Sequence, residues 1–78
     1  MRAQDVLAFV VGELVDHPDD VVIEVVEDDR ELVLELTVHP EDVGKVIGKR
    51  GRTAKALRTL VRAAGSLDDE QVTVEIID

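Results

Sequence analysis

A chain of 78 residues with two prolines, five glycines, no cysteine and a single aromatic, Phe9, can build one hydrophobic core and is too short for two. The absent cysteines exclude a disulfide scaffold and any cysteine-ligated zinc or iron–sulfur centre, so packing and hydrogen bonds must hold the fold, as suits a cytoplasmic protein. Apolar runs fall far short of the roughly 20 residues that span a bilayer, and Asp5 and Glu13 stand where a signal peptide would be apolar; a soluble, unprocessed chain is expected.

The first element predicted is a helix over Ala3–Val15, where Val6, Leu7, Val10, Val11, Leu14 and Val15 make one stripe at helical spacing. His17-Pro18-Asp19-Asp20 ends it, because the residue before a proline is pushed out of the α region. Val21–Val26 is β-branched and apolar, Glu27-Asp28-Asp29 reads as a turn, and Glu31–Val38 alternates with Leu32, Leu34, Leu36 and Val38 on one face. Two strands joined by a tight turn are expected.

His39-Pro40-Glu41-Asp42 reads as a helix start, with proline at the first position and two acids facing the positive end of the dipole. Val43, Val46 and Ile47 continue a short apolar face, which Gly48-Lys49-Arg50-Gly51 interrupts. A further helix is predicted from Arg52 to Ala64 with Gly65 as its stop; it carries Leu57, Leu60, Val61 and Ala64 on one side and Arg52, Lys55, Arg58 and Arg62 on the other. A last strand, Gln71–Ile77, alternates Val72, Val74 and Ile76 against Thr73, Glu75 and Ile77. The order is α-β-β-α-α-β, an α+β arrangement.

Charge is distributed unevenly along this order. The formal net charge is −9, yet residues 45–62 hold seven cations and no acid, while the other 60 residues hold two cations and all 18 acids. Screening acts over about 8 to 10 Å at physiological salt, so a polyanion docked on the basic window feels that window more than the acids elsewhere. Net acidity therefore does not exclude nucleic acid. It disfavours indiscriminate coating of phosphate and leaves affinity to a defined patch.

The segment Val46-Ile47-Gly48-Lys49-Arg50-Gly51-Arg52 joins two predicted helices by a loop with glycine at each end. Glycine permits positive φ and close approach of a phosphate backbone, Lys49 and Arg50 place cations there, and the following helix directs its unpaired N–H groups to the same spot. A bare turn between helices on a solvated face does not explain why no acid neutralises the window. A Walker loop is rejected by spacing: Gly44-Lys45-Val46-Ile47-Gly48-Lys49-Arg50 has three residues between the glycines where four are needed, then arginine in place of Ser or Thr. No nucleophile, base and orienting group can be assembled, so the chain reads as a binding module and not an enzyme. The echo between His17-Pro18-Asp19-Asp20 and His39-Pro40-Glu41-Asp42 is what turn and helix-start chemistry demands, and no metal or other cofactor is expected.

VIGKRG between two short helices, together with the α-β-β-α-α-β order, resembles the type II KH (K-homology) RNA-binding domain over the whole chain, residues 1–78. More narrowly, the His-Pro-Asp turn, Val38-His39-Pro40-Glu41-Asp42, GKVIGKRGR and the EIID ending resemble the small bacterial KhpA family. The resemblance implies a three-stranded sheet covered on one face by three helices. It implies single-stranded RNA binding of an RNA-chaperone-like kind, with the GxxG loop (Gly48, Lys49, Arg50, Gly51) clamping the phosphate backbone of about four nucleotides. Arg52, Lys45 and Lys55 would add charge, and Val46 and Ile47, with Val43, Leu36 and Val38 in part, would lie under the bases. It further implies homodimers or heterodimers with a KhpB-like KH protein, and links to cell division, elongation and cell shape. Phe9 as the single aromatic removes the stacking platforms used by many single-strand binders, so binding by one domain should be weak and of low base specificity. Two other readings stay open: an adaptor whose KH surface serves a partner protein, and a binder of single-stranded DNA.

Overall fold

The computed structural model describes all 78 residues. Helix α1 spans Ala3–Leu14, strands β1 and β2 span Val22–Asp28 and Glu31–Thr37, α2 spans Val43–Ile47, α3 spans Arg52–Leu67 and β3 spans Gln71–Ile76. The sheet order is β1-β2-β3, with β1 antiparallel and β3 parallel to the central β2. A parallel neighbour needs a crossover, and α2 and α3 supply it across the face of the sheet. The α+β expectation, with three helices on one face, holds.

The hairpin turn lies one step later than its sequence suggests. Asp28 pairs with Glu31, so the two loop residues are Asp29 (φ +46°) and Arg30 (φ +73°). Positive φ at both central positions is the signature of the type I′ turn, whose twist matches the flanking strands.

Period-2 alternation decides what each strand buries. Leu34 and Leu36 of β2 and Val72 and Val74 of β3 are enclosed, and α1 covers them with Ala3, Leu7 and Val11 while α3 adds Ala54, Leu57 and Val61. Residues of the opposite parity face outward and bring Glu24, Glu35 and Glu75 into one cross-strand row. Like charges set side by side this way are destabilising on the order of a few tenths of a kcal/mol per pair. With Asp28 and Glu31 on the same face, the open side of the sheet is acidic, which is where part of the −9 resides.

Three details depart from expectation. Pro40–Asp42 forms a separate 3₁₀ turn, and α2 starts only at Val43. Leu60 is 42 % exposed, because the stripe that α3 buries is Ala54, Leu57, Val61 and Gly65. Gly65 does not stop the helix; α3 runs on to Leu67, and the left-handed residue of its end is Asp69 (φ +57°), with the Asp68 and Glu70 N–H groups both donating to the Gly65 carbonyl.

Gly65 serves close packing instead. A Cβ there would lie 2.6 Å from Val72 Cγ2 and 3.0 Å from the Glu70 carbonyl oxygen. Overpacking of this kind costs about 1–3 kcal/mol, against about 1 kcal/mol gained from alanine's helix propensity. Gly65→Ala is therefore expected to lower the melting temperature by several degrees in a circular dichroism melt; a helix interior free of β3 would give a rise.

Candidate nucleic-acid interface

The approach to the basic loop is fixed by backbone geometry. Helix α2 ends as Gly48 takes φ +77°, with its N–H donating to the Gly44 carbonyl at 2.8 Å. The chain then makes a 3₁₀ turn over Lys49–Gly51, in which Arg50 (φ +59°) and Gly51 (φ +73°) are left-handed, and enters α3 at Arg52. Gly48 is required twice over: by its φ, and because a Cβ would sit 2.7 Å from Thr53 Cβ and 2.8 Å from Thr53 N. Open space surrounds Gly51, so its constraint is φ alone.

Helix α3 begins without compensation. No side chain caps its N-terminus and no acid lies in its first turn. The positive end of a 16-residue dipole thus opens beside Lys49, Arg50, Arg52 and Lys55, all exposed.

The seven cations of the basic window are not equivalent. Lys45 Nζ lies 3.1 Å from Asp16 Oδ2, so the window does have one neutralising acid, delivered from the end of α1 and invisible in the local sequence. Arg58 donates through Nε to the Val74 carbonyl on the outer edge of β3 at 3.4 Å. Lys49, Arg50, Arg52, Lys55 and Arg62 have no carboxylate within 4.0 Å.

Burial divides the apolar residues. Val46, Leu36 and Val38 are 0 %, 0 % and 6 % exposed and belong to the core, so Val46, expected under the bases, has no surface to offer them. Ile47 and Val43 are half-buried and border the loop.

Behind the loop, the start of α2 is tied to the end of α1 by Asp42, whose place in the chain by itself suggests only first-turn dipole chemistry. Its side chain is fully buried; Oδ1 accepts from the Asp16 N–H at 3.1 Å and Oδ2 from the His17 N–H at 2.9 Å. Burial alone would raise its pKa. The two backbone donors, with the electrostatic influence of nearby His17 and Lys45, outweigh that and hold the carboxyl below its usual 3.8. The same link brings the two His-Pro turns together, with the His17 and His39 rings stacked at a centroid distance of 4.0 Å. Nothing local in the sequence signals these long-range contacts except the repeated His-Pro-acid-Asp pattern.

Comparison with known proteins agrees with this fold. Among solved structures, that of Era from Aquifex aeolicus, a Y63A variant bound to GDP and aluminium fluoride, superposes with a TM-score of 0.65 over 95 % of this chain and 29 % of that one. At 20 % identity the likeness concerns the fold. Curated proteins named RNA-binding protein KhpA are much nearer in sequence. Those of Listeria monocytogenes and Bacillus subtilis are each 51 % identical over 75 residues, covering 96 % of this chain and 99 % and 93 % of theirs. That of Halalkalibacterium halodurans is 57 % identical over 65 residues, covering 83 % of this chain and 86 % of its own. The family model for the KhpA/KhpB KH domain matches residues 4–76. With a matching fold, a match along nearly the whole chain and about half its residues shared with these relatives, the chain belongs to the KhpA/KhpB KH-domain family.

Proposed function

We propose that this chain is a cytoplasmic single-stranded RNA-binding module, RNA-chaperone-like and not an enzyme, in which residues 1–78 act as one KH domain. The loop Gly48-Lys49-Arg50-Gly51 clamps the phosphate backbone, and Arg52 and Lys55 extend the track along α3. One observation carries the reading: an uncapped, acid-free helix N-terminus opens at a glycine-framed loop beside four cations, Lys49, Arg50, Arg52 and Lys55, that no carboxylate neutralises. Ile47 supplies apolar contact at the rim. Lys45 supplies long-range field more than a direct contact, because Asp16 already holds it.

The acidic outer face of the sheet supports the same reading from the other side. It repels phosphate wherever the basic face is not presented, so one orientation of the strand is favoured. Pairing as a homodimer, or with a KhpB-like KH protein in the processes of cell shape and division, raises the affinity of a weak single site by linking two of them. The apolar strip between α1 and α3, lined by Val10, Leu14, Ala56 and Leu60, with Leu14 and Leu60 39 % and 42 % exposed, is the surface that favours such pairing. The same strip is what supports an adaptor role as the second reading.

Anisotropy titrations of a short labelled single-stranded RNA at several salt concentrations test the reading. Three to five phosphate contacts by the unpaired cations give a log-log slope of roughly −2 to −3.5. A slope near zero would move the interface off the basic face. A DNA strand of the same sequence, titrated in parallel, reads out any contribution of the 2′-hydroxyl.

A further inference from the structure

The His-Pro turns hold something that turn chemistry does not explain. Both fold as 3₁₀ turns with proline at the first position, and His39 caps its own turn, accepting the Glu41 N–H on Nδ1 at 3.0 Å. His17 caps nothing. Its ring lies instead on that of His39, 4.0 Å away and 18° from parallel, and its Nε2 is 3.1 Å from Glu41 Oε1. The arrangement is held from beneath, because the buried Asp42 carboxylate fixes the backbone N–H of His17 at 2.9 Å.

Two imidazoles and one carboxylate thus converge from two connections 22 residues apart in sequence. His39 Nδ1 is 3.9 Å from the same Glu41 oxygen, and one donor atom from each of the three residues lies within 4.8 Å of the others. A tetrahedral ion with bonds of about 2.0–2.1 Å sets its ligands about 3.3 Å apart; the His17–Glu41 contact of 3.1 Å meets this, and the other edges, within 4.8 Å, must shorten. The stacked rings must splay to aim both lone pairs at one ion, a movement open to side chains that are half-exposed or exposed.

The proton positions suit the exchange. His39 Nδ1 carries a lone pair that now accepts the Glu41 N–H; to present it to an ion the ring turns off that donor, whose exposed N–H passes to water. Between His17 Nε2 and Glu41 the ion replaces a proton, which moves to Nδ1 in the neutral ring. A donor set of two nitrogens and one carboxylate oxygen matches zinc and its first-row neighbours and not magnesium or calcium. Solvent completes the coordination, since Glu41 is 74 % and His17 40 % exposed at the side chain.

We propose that His17, His39 and Glu41 form a surface site for a divalent transition-metal ion of the zinc class, which clips the α1–β1 connection to the β2–α2 connection. The site is independent of the RNA reading, because none of its ligands lies in the basic loop.

The test uses the full chain without a polyhistidine tag and zinc chloride as the probe, followed by calorimetry and by thermal melts. One ion per chain is expected to bind saturably, to raise the melting temperature, and to be removed by a chelator. Glu41→Gln and His17→Gln should each weaken binding on the order of tenfold or more. Glu41 is exposed enough that its variant retains the fold, and it decides the matter if His17→Gln melts early. Absence of a one-to-one isotherm, equal stabilisation by magnesium, or unchanged zinc affinity in Glu41→Gln would each overturn the site.

Discussion

Lys49→Asp combined with Arg50→Asp is expected to abolish measurable RNA binding while leaving the melting temperature within a few degrees of the parent. The loss follows from charge: two cations at the mouth of an uncapped helix become two anions, and each reversal costs on the order of 1–2 kcal/mol against a phosphate a few ångströms away. Affinity should drop by at least about 100-fold at physiological salt. The fold should not suffer, for three reasons. Both side chains are exposed and make no ion pair. Asp tolerates the left-handed conformation that Arg50 adopts at φ +59°. Acids near the N-terminus of α3 also interact favourably with its dipole. Unaltered RNA affinity in the folded double variant would refute the clamp. A protein partner retained by both forms after nuclease treatment would then favour the adaptor.

Much of this was legible because the relevant periodicities are local. The cationic face of α3 follows from residues three and four apart, the inward leucines of β2 from strict alternation, and the loop from two glycines in an acid-free window. What escaped depends on distance in the chain. Asp16 meets Lys45 from 29 residues away, so a window that looks free of acid has one. Val46 follows the same apolar pattern as Ile47, and only the closing of α1 and the sheet over α2 makes one core and the other rim. Gly65 sits where a helix stop is ordinary, yet α3 continues past it, and the glycine is needed because β3 comes so near that a Cβ cannot fit. In each case the local rule was sound and a tertiary neighbour decided the outcome.

Asp42 is the buried charged residue of the core, and a substitution there should cost the fold heavily. Asp42→Ala leaves the part-buried Asp16 and His17 N–H groups without their acceptor and frees the end of α1 from the start of α2. Losing two charge-assisted hydrogen bonds with their donors left unpaired should lower the melting temperature by about 10 °C or more. Asp42→Asn keeps one acceptor oxygen but turns an amide NH₂ toward a backbone donor, so it should fall between the two. The sign of the pH effect follows from a carboxyl whose pKa is lower folded than unfolded. Its contribution is whole above the ordinary value of 3.8 and is lost as pH falls from there through the folded-state value. The chain holds 18 acids, so the informative quantity is the difference between wild type and Asp42→Asn, measured with chelator present. That difference should be flat above about pH 5 and shrink below 3.8. A gap that persists undiminished at pH 2.5 would mean that the shape of Asp42, and not its charge, holds the two connections together.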